Sequence, residues 1–260
     1  MIVVDSHCHA GTSWFEPVEL LLHQMNANDV QKGVLIQHRG VYDSGYLLES
    51  AERFPGRFSV VAIVDASLPD ADTALEGWAR RGAVGARLAP TDRSPGPDPL
   101  RIWRKAAELG LVVSSLGALE EFASDDFAAL VSELPDLPIV IEHLAGATQA
   151  EQPPYAAFKK ALALANMDNT YIKVGGLGEI SHKPPVLRSE FGFDYTPPLI
   201  EMAYDAFGPH RMMWGSDYPP VSSREGYRNA LRGVAEHPAL QSEGDREWVM
   251  SRTASELFFG

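Results

Sequence analysis

The sequence predicts an α/β fold, a single (β/α)8 TIM barrel spanning residues 1–260. Short runs rich in Val and Ile alternate with longer amphipathic stretches, as expected for strands buried on both faces of a parallel sheet. The chain has 260 residues, and this fold typically takes about 250. The predicted strands are 2–9, 33–38, 58–65, 84–90, 111–117, 138–146, 170–176 and 211–217.

Helices are predicted between these strands, most clearly at 16–28, 98–110 and 124–134. Each begins at an acidic residue, Pro or Ser, and the second ends at a Gly, which are the usual helix boundary residues. A last helix is predicted at 243–259. An open doubly wound sheet is the alternative, but it requires a Gly-rich turn after the first strand, and HCHAG is not one.

Three loops follow predicted strands and therefore lie at the C-terminal face, where barrel enzymes place their sites. They are residues 10–17, 89–99 and 176–198. The last has more than 20 residues, a length that is uncommon unless the loop is a lid or a binding loop. We expect these loops to determine which ligand binds.

Composition narrows the class of partner. The chain carries 35 acidic and 22 basic residues, a formal net charge of −13, which argues against nucleic acid or an anionic membrane as the main partner. The single cysteine, Cys8, excludes an internal disulfide and fits a reducing compartment. No secretory leader or membrane span is expected. The prediction is a cytoplasmic protein with a small-molecule substrate, and a homo-oligomer is left open.

The segment VDSHCHAG contains two histidines at the end of the first strand. Because side chains alternate along a strand, His7 and His9 point to the same side, and in a barrel that side is the interior. Asp5 has the same parity and lies deeper. Two imidazoles that converge in a barrel mouth can bind a divalent metal or donate two hydrogen bonds to an oxygen anion.

Polar residues also end other predicted strands. His143 ends the sixth strand, with alternation turning Glu142 the other way. Asp217 ends the eighth and Arg87 the fourth. Because the ends of all eight strands meet at one face, these residues predict a common site. Further candidate substrate-binding residues near this face are Trp14, Gln37, His38, Ser115, His182 and Tyr218.

With HxH on the first strand, His143 on the sixth and WGSDYP on the eighth, the chain resembles the amidohydrolase superfamily. The segments DSHCH, GARL, IEHLAG and WGSDYPP fall in the same order over most of the chain. The resemblance is closest to the amidohydrolase-2-type branch, which holds metal-dependent and metal-independent lactonases and non-oxidative decarboxylases.

One departure separates these branches. The decarboxylases usually carry a metal-ligating His at the end of the fifth strand, where this chain has Ser114 and Ser115 in LVVSSLG. The lactonases lack that His but keep the sixth-strand His and the eighth-strand Asp, which His143 and Asp217 match. The resemblance therefore implies a lactonase-like hydrolase.

The resemblance also implies roles. Asp217 acts as the general base, His143 works with His7 and His9 on the carbonyl oxygen, and Arg87 holds a substrate carboxylate or hydroxyl. Zinc or manganese, if present, is bound by His7, His9 and Asp217, with His143 as a further candidate ligand; the same groups also suit catalysis without metal.

The expected reaction is opening of a lactone or similar cyclic ester of a small carboxylic or sugar acid. Two alternatives remain at this point: a metal-dependent non-oxidative decarboxylase of an aromatic or dienoic acid, and a barrel that binds a ligand without catalysis. Release of CO2 distinguishes the decarboxylase from the hydrolase.

Overall fold

Eight parallel strands form one sheet in chain order in a computed structural model that describes all residues, Met1–Gly260. Every predicted strand is present, and the predicted TIM barrel is confirmed. The strands are shorter than predicted because their last residues already belong to the loops. Their bounds are β1 Val4–Cys8, β2 Lys32–Ile36, β3 Phe58–Ile63, β4 Gly85–Leu88, β5 Val112–Ser115, β6 Ile139–Ile141, β7 Thr170–Val174 and β8 Met212–Trp214.

The first and last strands come together where the chain enters and leaves the barrel. Cys8 and Tyr218 form a parallel bridge, and the N–H of His9 donates to the carbonyl of Tyr218 at 2.8 Å. Gly215 makes this approach possible, because a Cβ at that position would lie 2.5 Å from Cβ of His7. The ends of β1 and β8, which carry the predicted site, are therefore adjacent.

A buried carboxylate supports this junction from the outer side. Asp5 accepts hydrogen bonds from the N–H and hydroxyl of Ser216, at 2.8 and 2.6 Å, and from the hydroxyl of Tyr227 at 2.8 Å. The prediction that Asp5 faces the same side as His7 was wrong. The register of β1 shifts between Asp5 and Cys8, so simple alternation does not hold across that stretch.

Helices surround the sheet, and the predicted helices at 16–28, 98–110 and 124–134 correspond to the first, fourth and sixth. In the sixth, the hydroxyl of Ser124 accepts from the N–H of Phe127 and caps the helix. The helical segments are α1 Val18–Ala27, α2 Gly45–Arg53, α3 Ala71–Arg80, α4 Arg101–Glu108, α5 Leu119–Phe122, α6 Asp125–Glu133, α7 His143–Gly146, α8 Ala156–Leu162, α9 Leu199–Phe207, α10 Tyr227–Ala235, α11 Glu243–Glu247 and α12 Thr253–Phe258. Of these, α7 is a single turn with a left-handed backbone and not a regular α-helix.

The C-terminal segment closes the bottom of the barrel. The predicted helix 243–259 is formed by α11, a π-helical turn at Trp248–Arg252 and α12. Phe258 is buried with Val4, Val34 and Val61, which line the N-terminal half of the barrel interior, and its carbonyl accepts from Ser59 at 2.6 Å. Burying this ring stabilises the fold by roughly 2 kcal/mol.

The barrel interior changes from apolar to polar along its axis. Its lower part is filled by Val34, Ile36, Val112, Val140 and Met213. Above this layer the inward side chains are charged or polar, and they form the site described next. No helix in the structure has both the length and the apolar character needed to cross a bilayer.

Candidate active site

The two histidines of β1 converge at the mouth as predicted from their spacing. Nε2 of His7 lies 3.2 Å from Nε2 of His9, and both rings are buried. Nδ1 of His9 lies 2.8 Å from the carbonyl oxygen of Ile36. A carbonyl only accepts, so Nδ1 carries the proton and Nε2 of His9 presents a lone pair to the mouth.

Asp217 completes this group from the end of β8. Its Oδ1 lies 3.4 Å from Nε2 of His9 and 3.9 Å from Nε2 of His7. The backbone of Asp217 is left-handed, with φ of 55°, a conformation in which Asp is enriched among non-glycine residues. Burial raises the pKa of this carboxyl, but the charges of His143 and Arg224 outweigh burial and bring the pKa to about 2. It is ionised at neutral pH.

His143 reaches the mouth by an unusual backbone path. β6 ends at Ile141, and His143, Leu144 and Ala145 all have left-handed backbones, with φ of 50°, 48° and 58°. The ring of His143 lies 4.6 Å from that of His7. The predicted alternation was wrong here, because the turn lifts His143 out of the strand pattern and into the mouth.

Glu179, which the sequence did not single out, holds His143. It lies in the loop after β7, and its Oε1 is 3.2 Å from Nδ1 of His143. Burial lowers the pKa of His143, but the charges of Glu179 and Asp217 outweigh it and raise the pKa to about 9. Glu179 is 36 residues from His143 in the chain. No local sequence pattern therefore indicates that the two side chains lie close together.

Glu142 faces inwards, contrary to the predicted alternation. Its Oε2 accepts from Nε and Nη2 of Arg87, at 3.2 and 2.7 Å. Burial raises the pKa of Glu142, but the charges of Arg87 and Lys173 bring it to about 2. Nη1 of Arg87 donates to the carbonyl of Gln37 at 3.1 Å. The prediction for Arg87 is therefore corrected. Its guanidinium is bonded to Glu142 and is not free to hold a substrate carboxylate.

A buried lysine lies beneath the imidazoles. Nζ of Lys173, on β7, lies 2.8 Å from the hydroxyl of Ser114 and 3.3 Å from Nδ1 of His7. The hydroxyl of Ser114 in turn donates to Oε1 of Glu142 at 2.6 Å. Burial lowers the pKa of Lys173 to about 8. Neither Lys173 nor the role of Ser114 was predicted from the sequence.

Ser115 lies on the other face of β5. It pairs with Leu88 in the sheet, and its buried hydroxyl has no partner. Strand alternation directs Ser114 into the barrel and Ser115 towards the helices. The predicted substrate contact of Ser115 is therefore corrected in favour of its neighbour.

The loop after β1 contributes a ring that was not predicted. Trp14 is 69% exposed, whereas Phe15 stacks on His9 with ring centroids 4.9 Å apart. His38 lies edge-on to Phe15, also at 4.9 Å. Burial lowers the pKa of His38. Phe15 and His38 thus form one wall beside His9, and Trp14 lies outside it.

The other predicted binding residues lie away from the imidazoles. The side chain of Gln37 bonds within its own loop, to the carbonyl of Asp43 and the N–H of His38. The ring of Tyr218 packs near that of Tyr227, on the helix side. His182 is exposed. Two of these residues contact the site through their backbones: the carbonyl of Gln37 accepts from Arg87, and the carbonyl of Tyr218 accepts from the N–H of His9.

Arg224 joins two carboxylates at the rim. Its Nη1 donates to Oδ2 of Asp217 at 2.9 Å, and its Nη2 donates to Oε1 of Glu179 at 3.2 Å. It follows a 3-10 turn, Pro220–Ser223, a few residues after β8. Arg224 was not predicted from the sequence, because one arginine in a loop gives no periodic signal.

An open cavity of about 370 Å³ lies over these groups, lined by His143, Gly146, Ala147, Thr148, Gln149, Gly178, Glu179, Asp217 and Arg224. A second cavity of about 680 Å³ shares Gln149, Gly178 and Arg224 with it. Residues 183, 184 and 186–194 of the predicted binding loop line this second cavity. A small molecule therefore has access to Asp217 and His143.

The donor atoms of His7, His9 and Asp217 fit one divalent ion. The two Nε2 atoms are 3.2 Å apart, and Oδ1 of Asp217 lies 3.4 Å from Nε2 of His9 and 3.9 Å from Nε2 of His7. Two nitrogens bound to a tetrahedral zinc with ordinary bond lengths are about 3.3 Å apart. His9 also donates its outer N–H to a carbonyl, as metal-bound histidines do. The chemistry and spacing of this set suit zinc or a similar ion.

Comparison with known protein families assigns nearly the whole chain to one family. The family model described as amidohydrolase matches residues 5–260, which include every residue of the site. The chain belongs to the amidohydrolase family, as its motifs predicted.

Two relatives with assigned activities are similar in sequence. A 4-sulfomuconolactone hydrolase from Rhizobium radiobacter is 27% identical over 212 residues, which cover 78% of this chain and 66% of that protein. An L-fucono-1,5-lactonase from Burkholderia ambifaria is 30% identical over 210 residues, covering 73% of this chain and 65% of that protein. The match thus spans just under two thirds of each relative's length.

Solved structures show the same fold. A probable 2-pyrone-4,6-dicarboxylic acid hydrolase from Acinetobacter baumannii, with citric acid bound, has a TM-score of 0.81 at 19% identity, with 100% of both chains covered. An amidohydrolase from Burkholderia multivorans with bound zinc has a TM-score of 0.80 at 21% identity, with 99% of both chains covered.

Proposed function

We propose that this protein is a hydrolase that opens a lactone or similar cyclic ester of a small carboxylic or sugar acid. The observation that carries the proposal is the ionised carboxylate of Asp217, which lies beside paired imidazoles at the floor of an open cavity. The named activities of the two sequence relatives, both lactone hydrolases, support the same reaction.

Asp217 is the general base in this proposal. Its Oδ1 is the oxygen not bonded to Arg224, and it accepts a proton from a water molecule. The resulting hydroxide attacks the lactone carbonyl carbon and forms a tetrahedral intermediate. The ring C–O bond then breaks, and the leaving oxygen takes the proton from Asp217, which yields an open-chain hydroxy acid. A positioned base of this kind contributes about 10²- to 10⁴-fold to the rate.

His143 stabilises the charge that develops on the carbonyl oxygen. Its pKa of about 9 keeps both ring nitrogens protonated at neutral pH. Nδ1 is hydrogen-bonded to Glu179. Nε2 makes no hydrogen bond, and Oε2 of Glu142 lies 4.0 Å from it. That N–H is therefore available to the substrate oxygen, which is the usual task of an oxyanion-stabilising donor.

We propose His7, His9 and Asp217 as ligands of zinc or manganese. When bound, the ion polarises the carbonyl and lowers the pKa of water. The amidohydrolase from Burkholderia multivorans was solved with zinc. His143 is bonded to Glu179 and is proposed as a donor, not as a ligand. Elemental analysis of protein purified without added metal should find close to one equivalent; less than about a tenth, with full activity in chelator, leaves the hydrogen-bonding role of the imidazoles.

A lactone panel tests the activity. Acid release should be measured with a pH indicator on sugar lactones, muconolactones and pyrone carboxylates, using the wild type, Asp217→Asn and Asp168→Asn. Asp168 is an exposed residue before β7, at the opposite end of the barrel. Asp217→Asn should lose at least about 10²-fold in kcat, and Asp168→Asn should match the wild type.

Other outcomes point to the alternatives. Release of CO2 from an aromatic or dienoic acid, without acid release from any lactone, would indicate a decarboxylase, which the absence of a histidine at the end of β5 argues against. Binding of lactone acids without turnover of either kind would indicate a ligand-binding barrel. Nearly unaltered turnover by Asp217→Asn removes the general-base assignment.

A further inference from the structure

We propose that Arg224 is a positioning residue that fixes Asp217 and Glu179 relative to each other and, through Glu179, sets the place of His143. The inference deepens the lactonase proposal and rests on it for the kinetic part of its test. One guanidinium contacts both carboxylates, through Nη1 to Asp217 at 2.9 Å and through Nη2 to Glu179 at 3.2 Å.

These contacts form one continuous chain from the base to the oxyanion donor. Glu179 Oε1, which accepts from Arg224, is also the oxygen 3.2 Å from Nδ1 of His143. Donor atoms of His143, Glu179 and Asp217 all lie within 4.8 Å of one another. Two carboxylates this close repel each other unless a cation lies between them. Arg224 supplies such a cation and contacts both carboxylates directly, in addition to the protonated ring of His143.

All three guanidinium nitrogens of Arg224 face protein carboxylates. Besides the two contacts above, Nε lies 3.7 Å from Oε2 of Glu225. Glu225 is itself held by the N–H of Gly178, one residue before Glu179, at 3.1 Å. A substrate carboxylate would therefore have to compete with Asp217 and Glu179 for the two Nη groups. This arrangement suits a residue that holds catalytic groups, not one that binds substrate.

The position of Arg224 in the fold explains why such a contact is needed. Glu179 lies in the long loop after β7, and Asp217 lies at the end of β8. Loops after strands move more readily than the strands. Arg224 therefore couples the orientation of His143, which depends on a loop, to that of Asp217, which depends on the barrel.

The kinetic test compares Arg224→Ala and Arg224→Lys with Arg228→Ala, an exposed arginine on α10 without side-chain partners. Each variant is assayed with a neutral sugar lactone and a lactone bearing a carboxylate. Arg224→Ala should lower kcat by about 100-fold on both, as misplacement of catalytic groups does, with KM changed less than threefold. Added guanidinium chloride should restore part of the activity, and Arg228→Ala should match the wild type.

Three results overturn the proposal. A rise in KM confined to the acidic lactone means that Arg224 binds substrate. Kinetics of Arg224→Ala equal to those of Arg228→Ala mean that it has no role. Loss of activity that added guanidinium does not recover, with an unchanged melting temperature and an unchanged site in the crystal, means that positioning is not its function.

A crystal structure of Arg224→Ala separates this proposal from the lactonase proposal. The Asp217 and Glu179 carboxylates should turn apart, and the contact between Glu179 and His143 should be lost, whatever reaction the protein catalyses. Should Arg224→Ala fail to fold, Arg224→Lys serves, because a single ammonium holds one carboxylate and releases the other. An unchanged site in either structure contradicts the proposal, whereas a wild type inactive on every lactone contradicts only the lactonase.

Discussion

Nζ of Lys173 lies 3.3 Å from Nδ1 of His7, directly behind a ring whose Nε2 faces His9. An ammonium group only donates, so Nδ1 of His7 accepts from it and Nε2 of His7 carries the ring proton. That proton points to the lone pair of His9, whose own Nδ1 donates to Ile36. The two imidazoles therefore form a hydrogen bond with each other when no ion is present. A metal bound at the same place must displace the proton on Nε2 of His7.

Lys173 should therefore weaken metal binding. Lys173→Met removes a cation next to His7, and a charge at this range changes the binding free energy enough for at least about a tenfold gain in zinc affinity. Competition with a chromophoric chelator measures it. Lys105→Met, on the outer helix α4, is the control and should bind zinc as the wild type does. Equal affinity in Lys173→Met and wild type contradicts the proposed effect of Lys173 on His7.

Arg87 should behave as a structural partner of Glu142. Arg87→Met leaves a buried carboxylate uncompensated except by Lys173, and breaking a buried ion pair costs about 3–5 kcal/mol of unfolding free energy. Denaturant unfolding measures this loss. If Arg87 instead holds a substrate carboxylate, the variant keeps its stability and raises KM only for acidic lactones.

Ser114 and Ser115 form a matched pair on opposite faces of β5. Ser114→Ala removes the hydroxyl that links Lys173 to Glu142 and should lower kcat by about tenfold, since one bond in a buried network of charged groups is worth about 1.5 kcal/mol or more. Ser115→Ala removes a buried hydroxyl without a partner and should leave kcat within twofold. The reverse order of effects would restore the prediction made for Ser115 from the sequence.

Asp5 should stabilise the junction of β1 and β8. Asp5→Ala leaves the N–H and hydroxyl of Ser216 and the hydroxyl of Tyr227 without their acceptor. Unpaired buried donors cost about 1–3 kcal/mol each, so a loss of about 3 kcal/mol or more in unfolding free energy is expected. Tyr227→Phe removes one bond and should cost about 1 kcal/mol. A similar loss for both variants would mean that the bond from Tyr227, and not those from Ser216, accounts for the stabilisation by Asp5.

The strand pattern and the common mouth were predictable from the sequence alone. Runs such as FSVVAIVD and PIVIEHLAG reflect burial on both faces of a parallel sheet, which is a local property of each segment. The convergence of His7, His9 and Asp217 followed from one further rule, that the carboxyl ends of all barrel strands meet. Family motifs at the two ends of the chain pointed to the same place.

Only the tertiary structure decided how that mouth is built. Alternation failed at Asp5, where the register of β1 shifts, and at His143, whose left-handed backbone carries it into the mouth while Glu142 faces the interior. Backbone irregularities of this kind leave no periodic trace. The pairing of Glu179 with His143, and of Arg224 with both carboxylates, joins loop residues far apart in the chain. Charge compensation depends on distances in space, and spacing along a sequence does not encode them.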